Sequence, residues 1–395
     1  MKALTELKVA DLLKECNTTF EDQWDLIDRA ARRLKQRLIE EALEAERTEL
    51  VCCSYRQRTY RRSDYRNGYW KRWLLLKDGR LELRIPRLRY NSYESQIVPR
   101  YVQRMPEVDE ALKRVFLFGI STRRTGEALR PLLGEAISAQ TVSKIATSLN
   151  EEVRSFHTRA LNDRYRYLFF DAIILKVKTG AGAKKKAILV AYAITTEGKR
   201  ELIDFVVTKS ESAAAWEGFL MHLAERGLTG EFLSLIATDG NQGLITALDL
   251  VYPGIPRQRC WAHKLRNVAN NLRKKDRDAC IRQAREMYDA RNKREGLQAY
   301  FRWAKTWRPV APQAVACIEK DMEELFSFYS APEALRKKLR TTNVIERAFR
   351  EVRRRTRPMS CFNNTQSIER IVYAVLSHLN DQWGKRPLKE FTQKV

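Results

Sequence analysis

Three acidic residues have the type and setting to do chemistry. Asp171 lies inside the apolar run YLFFDAIIL. A carboxylate in the middle of a buried strand is costly unless it is paired or bound to a cation. Asp239 follows the apolar segment FLSLIAT and precedes Gly240, which puts it at the carboxyl end of a strand, where α/β sheets place functional groups. Two carboxylates brought to one sheet repel, and a divalent cation removes that repulsion. Glu346 is the third, in RTTNVIERAFREVRRRTR. On this helix Ile345, Phe349 and Val352 form the apolar face, while Glu346, Arg350, Arg353 and Arg357 share another. A carboxylate beside arginines suits a site that takes metal and phosphate together. Each acid also has a plainer reading. A strand Asp can cap a neighbour, and Asp-Gly is often a turn. Asn343-x-x-Glu346 fits a capping box, in which Glu reaches back to the N-cap amide. On the helix alone the capping box is the better reading of Glu346. For the two aspartates together, in the element order below, the chemical reading is the better one.

The elements that must position these residues are legible as changes of period. Residues 1 to 50 read as helix, with Ile27, Ala30, Ala31, Leu34 and Leu38 at helical spacing. The segment SYRQRTYRRSDYRNGYWKRW interleaves Arg with Tyr and Trp, and Asp78-Gly79 between two alternating runs signals a tight hairpin, with Pro86 closing its second strand. Residues 106 to 156 return to helix. Two short helices flank a turn at Gly134, and Ser138 is placed to cap the second. On that helix Val142, Ile145, Ala146 and Leu149 form the apolar face, and Gln140, Ser143, Lys144 and Thr147 the polar one. This is the layout of a helix-turn-helix unit that offers short polar side chains to a groove. From residue 164 three strands follow, then a helix over about 212–226, the strand FLSLIAT, a helix over about 242–250 and a short strand at RQRCWA. The order β-β-β-α-β-α-β is that of the ribonuclease H-like fold. A basic helical stretch runs from about Lys264 to Leu339, and two more helices close the chain.

Composition limits the choice of function. The 395 residues carry 74 Lys and Arg against 49 Asp and Glu, a net charge of +25. An excess of this size points to a polyanion, nucleic acid first. Thirteen basic residues face four acids between Arg257 and Arg294, and ten face two between Arg336 and Arg357. The longest apolar run, Ala187 to Ile194, is far short of the roughly 20 residues a membrane span needs. The N-terminus lacks an apolar signal core, so a cytosolic chain with its seven cysteines as free thiols is expected.

Several stretches then resemble one family. YRNGYWKRW with the hairpin and IPRLR, FLFGISTRRTGEALRPLLGEAISAQTVSKI, TDGNQGLITALDLVYPGIPRQRCWAHKLRNV and RTTNVIERAFREVRRRTRPMSCF are similar to the motif blocks of bacterial insertion-sequence transposases of the Mutator-like DDE family, and span about residues 65–385. The resemblance implies an acidic triad at Asp171, Asp239 and Glu346, which are 68 and 107 residues apart. It also implies an all-helical insertion in the second interval. The expected fold is α+β or α/β. A helical region (1–65), for dimerisation or DNA binding, precedes a β-hairpin and helix-turn-helix DNA-binding region (66–160). A ribonuclease H-like core (161–263) is interrupted by the insertion (264–340) and closed by residues 341–395.

The implied activity is binding of the element's terminal inverted repeats, then cleavage and strand transfer into target DNA by copy-out, paste-in movement. Two Mg²⁺ or Mn²⁺ ions held by the triad would clamp the in-line displacement. Cys260 and His263 match the family's Cys-x-x-His. A zinc site would need a second pair, so they are expected to brace the site or the core. DNA contacts are expected from Arg61, Arg62, Arg66, Gln140, Ser143, Lys144, Arg350, Arg353 and Arg354. A homodimer is expected, with Ile27, Leu34 and Leu38 contributing, as is a bacterial cytoplasmic, nucleoid-associated location without membrane contact. Two alternatives remain open: a non-catalytic helix-turn-helix regulator, and a ribonuclease H-like nuclease or resolvase.

Overall fold

The computed structural model describes residues 20–117, 120, 122–179, 182–357, 362, 364–385 and 387–388. The described residues form two compact units: residues 20–116 with 120 and 122–146, and residue 117 with those from 147 onward.

In the first unit, α1 (Phe20–Val51) precedes the hairpin β1 (Arg66–Leu76) and β2 (Gly79–Leu88). The first 19 residues of the expected N-terminal helix lie outside the described residues. Gly79 sits at φ 112°, the positive φ that the tight turn requires and glycine supplies. Pro86 does not end β2, which runs on to Leu88. Pro86 pairs with Tyr69 beside a register irregularity between Arg66 and Tyr69, and a bulge is where a strand tolerates a residue without an N–H. Leu43 of α1 packs with Leu74, Leu76, Leu81, Leu83 and Ile85 from one hairpin face. Glu46 ties α1 to the chain after the hairpin: Tyr93 and Ser95 donate hydroxyls to its carboxylate at 2.8 and 2.5 Å. The apolar contact of α1 with the hairpin begins at Ile39; Ile27 and Leu38 are each 43% exposed, and Phe20 and Trp24 more so.

Helices α2 (Pro106–Leu117), α3 (Thr122–Ala128), α4 (Arg130–Leu133) and α5 (Ala139–Thr147) follow. Val142 and Ile145 of α5 pack with Leu75, Val108, Leu112 and Leu133. Ser138 accepts from the Thr141 amide at 3.2 Å, the expected cap. Gly134 has φ 75°, and a Cβ on Gly126 would stand 1.8 Å from the Ile137 carbonyl oxygen, so α3 meets the turn backbone to backbone. Leu149 does not continue α5: the helix stops at Thr147, and Leu149 opens α6 (Leu149–Thr158).

The second unit is built on a five-stranded sheet in the order β5-β4-β3-β6-β7. Strands β3 (Tyr165–Thr179), β4 (Gly182–Thr195) and β5 (Arg200–Thr208) are antiparallel neighbours. After α7 (Ala213–Glu225), β6 (Leu235–Thr238) joins parallel to β3. After α8 (Gln242–Val251), β7 (Arg257–Arg259) joins parallel to β6. This is the element order read from the sequence. Trp216, Phe219, Leu220 and Leu223 of α7 are buried against the sheet residues Leu168, Phe170 and Ala191, and Trp216 is an anchor of that core. The helical stretch comprises α9 (Trp261–Asn270), α10 (Arg277–Asp289), α11 (Lys293–Trp307), α12 (Pro312–Glu319), α13 (Met322–Phe326) and α14 (Glu333–Leu339). Its first helix opens three residues before the expected boundary at 264. α15 (Asn343–Thr356) and α16 (Thr365–Gly384) close the chain. The Asn380 side chain of α16 accepts from the Leu202 amide at 2.7 Å and donates to its carbonyl at 3.0 Å, which covers the edge strand β5.

Candidate active site

The sheet register assembles the site. β3 and β6 run parallel with Phe170 opposite Thr238, so Asp171, still within β3, stands level with Asp239, the first residue after β6. β7 extends the row: Thr238 pairs with Arg259, and the Cys260 amide donates to the Thr238 carbonyl at 2.8 Å. Three site residues 21 to 89 positions apart therefore stand at one level of the sheet.

Asp171 is 5% exposed. Burial raises its pKa first and the charge of Asp239 second, to about 7, against lowering by His263, by the Ala172 amide and by the Thr342 hydroxyl. The Ala172 amide donates to Asp171 Oδ1 at 2.8 Å, and Thr342 Oγ1 donates to Oδ2 at 3.2 Å. Asp239 accepts from the Asn241 amide at 2.9 Å. Gly240, at φ 96°, is required twice over, by its backbone and by the Arg259 side chain packed where a Cβ would stand. Arg259 in turn pairs with Glu324 at 2.8 Å and Asp321 at 3.3 Å, and Lys264 also pairs with Asp321. Trp261 Nε1 donates to the Leu325 carbonyl at 2.7 Å. The helical stretch thus grips the junction of β7 and α9.

Glu346 reaches this place from the far side of that stretch. The capping-box reading of Asn343-x-x-Glu346 is overturned. The N-cap is Thr342, it makes no side-chain capping bond, and this shifts Glu346 one position past the one from which it could reach back. Its Oε1 instead lies 3.5 Å from His263 Nε2 and 3.5 Å from Arg266 Nη2. Cys260 first, then the fields of Asp171 and Asp239, push the His263 imidazole up to about 9 against burial, although its Nδ1 is buried with no hydrogen-bond partner. Burial raises the Cys260 thiol, but His263 and the Thr342 donors outweigh it and hold the pKa below the ordinary value. Thr342, fully buried, donates its amide to Cys260 Sγ at 3.3 Å while its hydroxyl bridges Asp171 and the same sulfur. Asp171, Asp239, Cys260, His263 and Glu346 form one cluster.

Two residues of this neighbourhood carry no motif in the sequence. Thr342 could have been found only as a hydroxyl close before the third acid. Glu211 precedes α7, and burial first, then Asp239, raise its pKa; it accepts from Trp216 Nε1 at 3.3 Å.

Carboxylate oxygens are the donors that Mg²⁺ and Mn²⁺ prefer, and the upward push on Asp171 is what a counter-ion would relieve. The donor set fits such an ion in kind. As arranged, with Glu346 turned to His263 and Arg266, no three acidic, histidine or cysteine side chains among the described residues stand close enough to hold one.

The sequence-expected DNA contacts divide. Gln140, Ser143, Lys144 and Thr147 are exposed on α5, as are Arg350, Arg353 and Arg354 on α15. Arg61 is exposed and lies over the Tyr60 ring at 5.6 Å. Arg62 and Arg66 have partners within the chain: Arg62 donates to the Gln57 carbonyl at 2.9 Å, and Arg66 donates to Thr48 at 3.0 Å and pairs with Glu44 at 3.5 Å. No described helix is long and apolar enough to cross a membrane.

The chain is similar to known proteins over most of its length. A transposase for insertion sequence element ISRM5 from Rhizobium meliloti (strain 1021) is 32% identical over 352 residues, 89% of this chain and 88% of that protein. A transposase for insertion sequence element IS406 from Burkholderia multivorans is 34% identical over 349 residues, 88% of this chain and 89% of that protein. A transposase for insertion sequence element IS256 in transposon Tn4001 from Staphylococcus aureus is 28% identical, over 91% of this chain and 93% of that protein. The model of the family described as "Transposase, Mutator family" matches residues 7–386, and the chain belongs to that family.

Proposed function

We propose that this chain binds the terminal inverted repeats of an insertion sequence and catalyses Mg²⁺- or Mn²⁺-dependent cleavage and strand transfer, with Asp171, Asp239 and Glu346 as the acidic triad of a ribonuclease H-like core. The observation that carries the reading is the parallel register that sets Asp171, inside the sheet, level with Asp239 just past the end of β6, a placement for which a non-catalytic regulator has no use. Bound metal would activate the attacking oxygen and stabilise the leaving oxygen. Asp171 and Asp239 are the fixed carboxylates, held by the Ala172, Thr342 and Asn241 donors. Glu346 joins them by leaving His263 and Arg266, which frees two positive groups to face the scissile phosphate. Cys260 and Thr342 hold His263 and Asp171 in place.

The helix-turn-helix face of Gln140, Ser143, Lys144 and Thr147, together with Arg61, reads the element's end. Arg350, Arg353 and Arg354 neutralise phosphates near the triad. Joining two ends takes two sets of these motifs, so the working form is a homodimer, to which the stripe of exposed Ile27 and Leu38 and half-buried Leu34 contributes, and movement proceeds by copy-out, paste-in transfer. Asp239→Asn and Glu346→Gln should each bring metal-dependent nicking and joining of element-end DNA below detection while end binding stays within about twofold. Near-normal strand transfer by Glu346→Gln would remove Glu346 from the triad. A mass measurement showing one chain per joined pair of ends would exclude the dimer.

A further inference from the structure

The β1–β2 hairpin has one face packed against α1 and a second face that is partly open to water, with Leu75 buried at its end. Paired residues of an antiparallel ribbon share a face. Arg72 with Leu83 and Leu74 with Leu81 lie on the face packed against α1, whereas Lys71 with Arg84 and Trp73 with Glu82 lie on the other. That second face alternates rings and cations. The Arg84 guanidinium lies 4.7 Å over Tyr69, and the Arg80 guanidinium 4.7 Å over Trp73. Trp73 is 46% exposed and Tyr101 82%. Tyr101 holds φ 72°, a conformation unfavourable for a residue with a side chain, and Arg100 lies 5.2 Å over its ring.

Of these, Trp73, Tyr101, Lys71, Arg80 and Arg100 line one open groove of about 810 Å³ that runs from β1 to the start of α5. Five basic side chains and a single acid, Glu135, line it. Leaving a Trp ring half in water forfeits part of the stabilisation that burial would bring. Its surface ion pairs, Lys71 with Glu82 and Arg80 with Glu135, are worth little in water and exchange readily for phosphate. A volume of this size suits a ligand on the scale of a few unpaired nucleotides. Exposed aromatics on a strand surface beside a basic groove are the means by which proteins hold single strands, each base stacking on a ring while cations follow the backbone.

We propose that this groove takes unpaired nucleotides of DNA, with a base stacked on Trp73 and phosphates held by Lys71, Arg80 and Arg100. This rests on the DNA-binding reading above and adds a site that distinguishes frayed or nicked DNA from intact duplex.

The test compares the full chain with its Trp73→Ala and Trp73→Phe variants by fluorescence anisotropy. The probes are a blunt duplex of element-end sequence and the same duplex carrying a single-stranded tail. The tail should tighten binding by the wild type. Trp73→Ala should lose about 5- to 150-fold on the tailed probe and stay within about twofold on the blunt one. Trp73→Phe should recover most of the loss. A wild type indifferent to the tail, or a Trp73→Ala variant weakened equally on both probes, overturns the stacking site and leaves duplex binding standing. A wild type that binds neither probe overturns the DNA-binding reading and this proposal with it.

Discussion

Asp171→Asn should make the metal-free protein more stable at neutral and alkaline pH while abolishing its activity. Asp171 titrates at 3.8 in an unfolded chain and at about 7 in the folded one. Between these values the folded state binds the proton that the unfolded state has lost, so stability falls as pH rises from about 4 to about 7 and is flat above. At about 1.4 kcal/mol per pH unit, the gap amounts to about 4 kcal/mol lost by pH 8. Asparagine cannot ionise, so the variant escapes this loss. It also keeps the local bonds, since its carbonyl oxygen can accept from the Ala172 amide and its NH₂ can donate to Thr342 Oγ1, whose own proton can turn to Cys260 Sγ. Imperfect exchange of those bonds costs about 1 kcal/mol. A net gain of roughly 2–3 kcal/mol remains, or several degrees in Tm for a domain of this size. Thermal melts in a metal chelator at pH 5 and pH 8 measure it. The variant should match wild type at the lower pH and exceed it at the higher. Equal Tm at pH 8, or a gain that does not change with pH, would refute the account of Asp171 as a carboxylate under strain from burial and Asp239.

Three other outcomes follow from named contacts. Thr342→Val removes a buried hydroxyl that donates to a carboxylate and should cost about 1.5–3 kcal/mol in urea titrations; Thr342→Ser keeps the hydroxyl and should cost less, so a reversed order would remove the bridge. Lys144→Ala should weaken end-DNA binding and reduce the salt dependence by about one phosphate contact; unchanged affinity on end and random DNA would take α5 out of recognition. Gly126→Ala puts a Cβ against the Ile137 carbonyl and should destabilise the first unit by at least about 2 kcal/mol, checked by limited proteolysis between residues 120 and 147; wild-type resistance would mean that the helix and turn can move apart.

The chain's own text determines most of the elements. Period-2 alternation around Asp78-Gly79 and the switch at residue 164 mark the strands, because side-chain direction repeats every two residues in a strand whatever it packs against. Ser138 before α5 and Ser212 before α7 carry local capping bonds, which depend on near neighbours alone. The two aspartates stand out because carboxylates next to apolar strands are anomalous in any fold. Glu346 is different. Its local sequence favours a capping box, and only the tertiary structure decides against it by moving the N-cap to Thr342 and presenting His263 and Arg266. Arg66 likewise reads as a free cation until the fold places Glu44 and Thr48 beside it. The alignment of Asp171, Asp239 and Cys260 at one level comes from the register between parallel strands. Strand register is set by the packing of α7 and α8 on the sheet and by the grip of Asp321, Glu324 and Leu325 on the β7–α9 junction. Those partners lie 60 or more residues away in the chain, and contacts of that separation leave no periodic or local trace in it.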